Sequence, residues 1–529
     1  MNSILPLLRG ASPRASPRAL PLKLSLSSRT VPRAFISNST VPSSIAGLLN
    51  FKPQEPVSDV NIHGFVRSVR AQKRYHFVSL GDGSSLEPLQ AVVPADQAEG
   101  LNIGAAVRLH GSWIPSKGRG QSHELQVERA VVLGPSDGKT FPIQKKYQTP
   151  EYLRTMPHLR SRIPFNSAVL RLRSEIIASL IKFFGSRDFV QTHTPILTSS
   201  DCEGAGEVFR VSSGDPSQSS PESETPKSFF RRPVYTTVSA QLHLEALAQA
   251  LGNVWTLSPT FRAEKSDTPR HLSEFYMLEA EISFTDKLDS VMDLVEDMLR
   301  HVCTDLAGSR VKNDILARVS ESSSDLVAAE QVSQRWDGLV REAWPRITYT
   351  EAIELLKQSE TPFIHDPIWG QDLHTEHEKY IAMKVGNGNS PVFVTNYPRD
   401  IKAFYMKADA ENHNTAAAPG ETVECFDLLV PDFCEIAGGS MREHRLENLV
   451  ESMRNHGMMT PSMTPDNNTT EPSQTVENNL NWYVDLRRWG CPPHGGFGLG
   501  FDRLICYLSG VQTIHDTSAF PRWYGRCDC

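Results

Sequence analysis

A charge-rich hairpin is predicted at residues 261–284, near the middle of the sequence. Its ends are aromatic and apolar, as in strands, whereas the stretch between them is polar and contains Pro269. Alternate side chains of a strand share a face, so Phe275, Glu279 and Glu281 point together. Arginines of the hairpin could bind phosphates, Phe275 could stack on a purine, and the carboxylates could hold a metal ion or an ammonium group.

A solvated, salt-bridged hairpin is the ordinary alternative. Carboxylates on the same face as Phe and Met are costly, however, unless that face lines a polar cleft. The hairpin also resembles motif 2 of the class II aminoacyl-tRNA synthetases, in the form FRAE, a loop and RHLSEF, which occurs in the aspartyl, asparaginyl and lysyl subgroup. The resemblance implies an antiparallel catalytic sheet flanked by helices, an α+β fold, and a two-step reaction that uses ATP.

Two further segments resemble the other motifs of this class. Residues 165–185 have helical apolar spacing and precede the strand-like FVQTHTPIL, as in motif 1, which implies a homodimer. The glycine-rich HGGFGLGFDR ends at Arg503 and resembles motif 3, whose arginine binds the nucleotide. Arg262 and Arg503 are therefore the expected catalytic residues. The resemblance implies ATP contacts from Arg262, Glu264, Arg270, His271, Phe275, Glu435, Gly500 and Arg503.

Two carboxylates before the Gly438-Gly439 pair, Asp427 and Glu435, are a reasonable Mg²⁺ site when phosphate oxygens supply further ligands. A solvated loop is the alternative. The resemblance implies that the amino acid is held by Glu203, Ser239, Gln241, Glu279 and Arg442. Leu244 occupies the position where aspartyl enzymes have a lysine. Arg442 and an acceptor carboxylate, expected to be Glu279, suit a neutral amide, which favours asparagine over aspartate or lysine.

Residues 57–134 contain five short, closely spaced strand-like segments, which predict a small barrel of the OB-fold type. Phe77 could stack on a base and Gln90 could hydrogen-bond its edge. The basic residues that could supply charge are Arg67, Arg70, Lys73 and Arg74. A core role for Phe77 is the alternative. The segment resembles the anticodon-binding domain of the same subgroup, which implies binding of tRNA(Asn). Residues 135–164 are a basic, Pro-containing linker to a catalytic domain at 165–529.

Residues 1–50 contain five arginines and one lysine but no acidic residue, although the whole chain has a net charge of -7. This composition is typical of a transit peptide, and apolar residues beside Arg9 favour import into the mitochondrial matrix over a basic RNA-binding arm. We expect this segment to contribute nothing to the fold. Polar insertions are predicted near 211–227 and 453–477, no membrane span is predicted, and the eight cysteines form no CxxC pairs.

The sequence thus predicts ligation of L-asparagine to tRNA(Asn) through an adenylate. An aspartyl enzyme is the nearest alternative. A non-enzymatic tRNA-binding protein would have lost Arg262 or Arg503, and an ammonia-dependent asparagine synthetase would lack the barrel. One departure from the subgroup pattern is His515, at a position where an arginine is usual. Because histidine lacks the bidentate geometry of arginine, a contact made by that arginine is in doubt here.

Overall fold

The computed structural model describes residues 41–529 except 119, 201–207, 213–228, 321–326, 342, 410–417, 462–473 and 477–479. Its first large unit is a closed five-stranded barrel. Its strands are β1 (Val57–Ala71), β2 (Tyr75–Gly81), β3 (Leu89–Pro94), β4 (Ala106–Pro115) and β5 (His123–Gly134). They are joined in the order β1-β2-β3-β5-β4. Val78 and Leu80 alternate inward on β2 and are fully buried. The predicted barrel is confirmed.

A short helix, α1 (Ile45–Asn50), precedes the barrel and packs on it. Ser44 caps the helix by accepting from the Gly47 amide, and Ile45 and Leu48 are fully buried. The Trp113 indole of β4 donates to the Phe51 carbonyl at 2.9 Å. Residues 1–40 lie outside the described part of the chain. The expectation that all of residues 1–50 stay out of the fold is therefore wrong for its last residues, whose apolar side chains have a place in the core.

The second unit is built on a large sheet. Its strands are β6 (Val190–Gln191), β9 (Val254–Phe261), β10 (Glu274–Ser283), β11 (Arg346–Thr348), β12 (Val392–Thr395), β13 (Cys425–Val430), β14 (Cys434–Met441) and β17 (His494–Gly500). The order is β11-β12-β13-β14-β17-β10-β9-β6, and only the outermost pairs at each edge are parallel. Small sheets pair β7 (Leu197–Thr198) with β8 (Tyr235–Thr236) and β15 (Met459–Pro461) with β16 (Gln474–Val476). This is the predicted antiparallel α+β architecture.

Helices pack on both faces of the large sheet, and the site lies on the face opposite the main helical core. They are α2 (Pro150–Arg154), α3 (Pro157–Arg160), α4 (Pro164–Gly185), α5 (Gln241–Leu251), α6 (Leu288–Asp305), α7 (Arg310–Ser320), α8 (Ala329–Val340), α9 (Tyr349–Lys357), α10 (Thr375–Val385), α11 (Leu446–Asn455), α12 (Asn481–Arg488) and α13 (Phe501–Ser509). Leu278 and Ala280 of β10 belong to the core formed with α4, α6 and α13. The alternate side chains of β10 consequently face away from these helices. No described helix is long and apolar enough to span a bilayer.

Two local predictions differ from the structure. The sequence predicts one helix over residues 320–344, whereas the described part of this region contains α8 and the end of α7. It also predicts a second strand before Met406, but β12 is followed by a 3-10 turn at Arg399–Ile401. Met406 forms only an isolated bridge with Arg442. The segment is apolar because Phe404 and Tyr405 pack against α11 and α12, and not because it belongs to the sheet.

Candidate active site

The floor of the site is the face of the large sheet that the core helices leave open. Met277, Glu279 and Glu281 alternate along β10 on this face, as the sequence predicts. They lie opposite Gly500, Gly498 and Gly496 of β17, respectively. A Cβ atom at Gly496 would lie 2.0 Å from the Glu281 carboxylate and 2.4 Å from the Ala280 carbonyl. Glycine is therefore required at residue 496 for Glu281 to lie against the sheet.

One pocket on this face contains the predicted nucleotide contacts. It is lined by Arg262, Glu264, Arg270, His271, Phe275, Glu435, Gly500 and Arg503, together with neighbouring residues. The Arg270 guanidinium donates to the Phe433 carbonyl at 2.9 Å, and the Arg503 guanidinium donates to the Glu435 carbonyl at 2.9 Å. Arginines on one side and the Phe275 ring on another suit a phosphate chain and a purine base, respectively.

A second pocket adjoins the first and contains the predicted amino-acid contacts that the structure describes. Its lining includes Ser239, Gln241, Glu279 and Arg442. Glu203, the fifth predicted contact, lies outside the described residues. Arg262, Met277, Glu435 and Gly498 line both pockets. A molecule in one pocket thus meets a molecule in the other beside the Arg262 guanidinium and the Glu435 carboxylate.

The two predicted metal ligands lie near the shared wall, on β13 and β14. A Cβ atom at Gly438 would lie 3.3 Å from Asp427 Oδ1 and 3.5 Å from Glu435 Oε1, so both carboxylates flank the same glycine. Burial and the negative charge of Glu435 raise the pKa of Asp427, against the effect of Lys402, which donates to it at 2.8 Å. Two carboxylates brought together beside a phosphate pocket are hard oxygen ligands that fit Mg²⁺.

Glu279 has a different set of contacts from the one the sequence suggests. Its carboxylate accepts from the Ser239 hydroxyl at 2.5 Å and from the Ala240 amide at 3.0 and 2.9 Å. Glu279 thereby fixes the start of α5 beside the pocket. The carboxylate that contacts Arg442 is Glu281, whose two oxygens accept from the Arg442 guanidinium at 3.1 Å each. Arg442 also donates to Ser440 at 2.7 Å.

A buried network behind the amino-acid pocket was not identified from the sequence. Glu245 on α5 accepts from Arg487 at 2.7 Å, from His494 at 3.1 Å and from the Tyr483 hydroxyl at 2.7 Å. Glu245, Glu281 and His494 lie close enough together to hold a metal ion. Arg442 and Arg487 already supply the positive charge, however, so an ion-pair network accounts for these groups better than a metal site. The available signal in the sequence was a glutamate flanked by Leu244, Ala246 and Leu247.

A model of the tRNA synthetases class II (D, K and N) matches residues 149–524. The chain belongs to this family. A mitochondrial asparagine–tRNA ligase of Saccharomyces cerevisiae is 42% identical over 509 residues, which cover 92% of this chain and 96% of that protein. An asparaginyl-tRNA synthetase of Homo sapiens is 42% identical over 471 residues, covering 88% of this chain and 91% of that protein.

Solved structures of asparaginyl-tRNA synthetases resemble this chain over most of its length. Asparaginyl-tRNA synthetase from Pyrococcus horikoshii, crystallised with asparaginyl-adenylate, matches with a TM-score of 0.73 and 27% identity, covering 91% of this chain and 98% of that one. An asparaginyl-tRNA synthetase of Entamoeba histolytica, also in complex with asparaginyl-adenylate, matches with a TM-score of 0.70 and 25% identity, covering 90% of this chain and 97% of that one. The fold expected from the motifs is confirmed.

Three residues of the barrel were predicted to contact RNA, and the structure gives each of them different surroundings. Phe77 lies on the outer side of β2, opposite Arg70 on β1, whose guanidinium is 4.8 Å from the ring centroid. Gln90 lies opposite Ser79 and donates weakly to the Val78 and Ala91 carbonyls at 3.3 Å. Arg67 instead sits at a β-bulge and donates to the Ser85 and Leu86 carbonyls at 3.0 and 2.7 Å. Arg67 therefore has a structural task within the barrel, and Arg70 is the arginine beside Phe77.

His515, the departure from the subgroup pattern, supports the nucleotide pocket from behind. It is buried, stacks on Trp523 with ring centroids 4.4 Å apart, and its Nε2 lies 3.0 Å from the His271 carbonyl. Since a carbonyl only accepts, this nitrogen carries the proton. Burial lowers the pKa of His515, which keeps the ring neutral. The histidine thus anchors the hairpin loop through its backbone, a task that needs one donor and no guanidinium.

Proposed function

We propose that this chain joins L-asparagine to tRNA(Asn) in two steps, by way of an asparaginyl-adenylate formed from ATP. The observation that carries the proposal is the pair of adjoining pockets that share Arg262 and Glu435. Asparagine in one pocket would direct its α-carboxylate at the α-phosphate of ATP in the other. Relatives that cover most of the chain and are named asparagine–tRNA ligases support the same reaction.

Catalysis in this proposal is positioning and charge stabilisation, with no protein nucleophile. Arg262, in the shared wall, would stabilise the charge that develops on the α-phosphate, and Arg503 would bind the nucleotide near the departing pyrophosphate. Asp427 and Glu435 would hold Mg²⁺, which supplies further charge neutralisation to the phosphates. Ser239, Gln241 and Glu203 would hold the α-amino end of the amino acid in the second pocket.

The choice of asparagine over aspartate rests on the charge at the floor of the pocket. Arg442 could bind a second carboxylate, but Glu281 already accepts two of its hydrogen bonds. Leu244 lines the same pocket and supplies no second cation. An amide oxygen can accept from a remaining Arg442 N–H, whereas the carboxylate of aspartate would meet Glu281 as a like charge. An aspartyl enzyme remains the second candidate because Arg442 can serve either side chain.

The anticodon of tRNA(Asn) would bind on the outer face of the barrel, where Phe77 and Arg70 offer a stacking platform and a cation. We also propose a homodimer and a location in the mitochondrial matrix. The basic, acid-free N-terminus and mitochondrial relatives support the location. Because α1 is packed on the barrel, we propose that any leader is removed before Ser43 and not after residue 50.

ATP–pyrophosphate exchange tests the proposal. Purified protein with Mg²⁺ is assayed separately with asparagine, aspartate and lysine, and then for transfer to tRNA transcripts. We expect exchange with asparagine and charging of tRNA(Asn). Exchange that prefers aspartate would transfer the assignment to the second candidate, and a lack of exchange with every amino acid would reject both.

A further inference from the structure

Glu245 lies one residue beyond Leu244 on α5, completely buried behind the amino-acid pocket, and it does not line that pocket. It nevertheless contacts Gln241, which does: the Gln241 side-chain amide donates to Glu245 at 3.1 Å. Because an ionised carboxylate only accepts, the nitrogen of the Gln241 amide must face Glu245. The amide oxygen is then left as an acceptor toward the pocket.

His494 joins Glu245 to the floor of the same pocket. Its Nδ1 lies 2.9 Å from the Pro492 carbonyl and its Nε2 lies 3.1 Å from Glu245. Both partners accept, so both ring nitrogens carry protons and the ring is an imidazolium. Burial opposes this charge, but hydrogen bonds to Cys491 and Glu245 outweigh it and raise the pKa of His494 to about 10.

The ionised groups around the pocket floor then balance. The cations are Arg442, Arg487 and His494, and the carboxylates are Glu245, Glu279 and Glu281. Burial raises the pKa of Glu281, yet both of its oxygens accept from Arg442, which is the geometry of an ionised carboxylate. Apart from the charged groups at the shared wall, which are Arg262, Asp427 and Glu435, these three positive and three negative charges cancel. A neutral amide preserves this balance, and a carboxylate does not.

From this balance and the contact with Gln241, we infer that Glu245 is a positioning residue that sets the preference for asparagine over aspartate without touching either. The inference rests on the proposed function. Replacing Glu245 by a neutral residue leaves an excess positive charge beneath the pocket, which a carboxylate ligand can neutralise. Replacing His494 leaves an excess negative charge, which repels it. The two changes therefore shift the preference in opposite directions, a result that general loosening of the pocket would not produce.

The experiment measures, in the full-length chain, the KM for asparagine in pyrophosphate exchange and the inhibition constant of aspartate as its competitor. In the Glu245→Gln variant we expect the aspartate constant to fall relative to the asparagine KM by about tenfold, with the KM for ATP unchanged. In His494→Gln we expect that ratio to rise. Glu296→Gln is the matched control, because Glu296 is also buried and accepts from an arginine, Arg300, but lies on α6 away from both pockets.

Each outcome bears on a separate claim. A Glu245→Gln ratio equal to that of the control, or one that moves toward asparagine, overturns the inference. If this variant does not fold, His494→Gln decides, and an unchanged or lowered ratio overturns it. Absence of exchange with asparagine in the unsubstituted protein would instead reject the proposed function. Tyr483→Phe removes a hydrogen bond to Glu245 but no charge, so its ratio is expected to match that of the control.

Discussion

Arg262 lies where the two pockets meet, and its replacement by alanine separates stability from catalysis. Its side chain is 34% exposed and its guanidinium is 3.7 Å from the Glu264 carboxylate. A partly exposed pair at this distance contributes about 1 kcal/mol or less to stability. We therefore expect Arg262→Ala to fold and to melt within a few degrees of the unsubstituted protein.

The catalytic loss in this variant should be much larger than the loss of stability. Removing one charged donor from a developing oxyanion costs about 3–4 kcal/mol, or about 100- to 1,000-fold in rate. The assay is pyrophosphate exchange at saturating asparagine and ATP, with a thermal melt on the same preparation. The loss should appear in kcat, since a group that acts mainly on the transition state affects kcat more than KM.

Arg187→Ala provides the matched control for this experiment. Arg187 is 40% exposed, lies 3.3 Å from Asp297 and rests on the Phe183 ring, as Arg262 lies beside Glu264 and Phe275. It contacts neither pocket. If Arg262→Ala keeps exchange activity within a few-fold of this control, the shared wall does not stabilise the transition state and the reasoning is refuted.

Three further outcomes follow from the structure. His494, with its pKa raised to about 10, contributes stability that is fully present below about pH 6.5 and is lost as the pH rises through 10. The unfolding free energies of the unsubstituted protein and His494→Gln, measured by urea titration, should accordingly converge over that window, and a constant difference would contradict the charged ring. A chain that starts at Ser43 should melt like the full-length protein, whereas one that starts at Phe51 should lose about 3 kcal/mol or more with the two buried side chains of α1; equal melting of both would show that α1 does not stabilise the barrel. Arg70→Ala should raise the KM for tRNA and leave pyrophosphate exchange intact, and an unchanged KM would exclude Arg70 from RNA binding.

Residues that line the pockets were predictable chiefly because their segments resemble the motifs of the family, and the resemblance implies a role for each matching position. The alternation on β10 placed Phe275, Glu279 and Glu281 on one face, and the glycine-rich segment that forms β17 resembles motif 3. Periodicity also identified α4, whose buried residues recur at helical spacing. In such segments the local pattern and the tertiary contacts agree, so the sequence alone suffices.

The predictions that failed, and the features that were missed, depended on contacts between residues far apart in the sequence. Glu279 and Glu281 have the same spacing and chemistry, and only the positions of Ser239 and Arg442 decide which carboxylate meets which partner. The Glu245 network joins residues more than 200 positions apart, so no window of sequence contains it. Likewise, the residues of α1 were assigned to a leader because composition alone does not reveal that the Ile45 side chain is buried in the folded protein.

The wall shared by the two pockets has a pharmacological consequence. A stable mimic of the adenylate would occupy both pockets at once, yet it would lose its translational and rotational freedom only once. Its dissociation constant should be smaller than the product of the dissociation constants of the two halves divided by the standard concentration. A linker of the wrong length beside Arg262 should abolish that gain. Inhibitors of this enzyme are therefore best designed to occupy both pockets, and not to extend further into one of them.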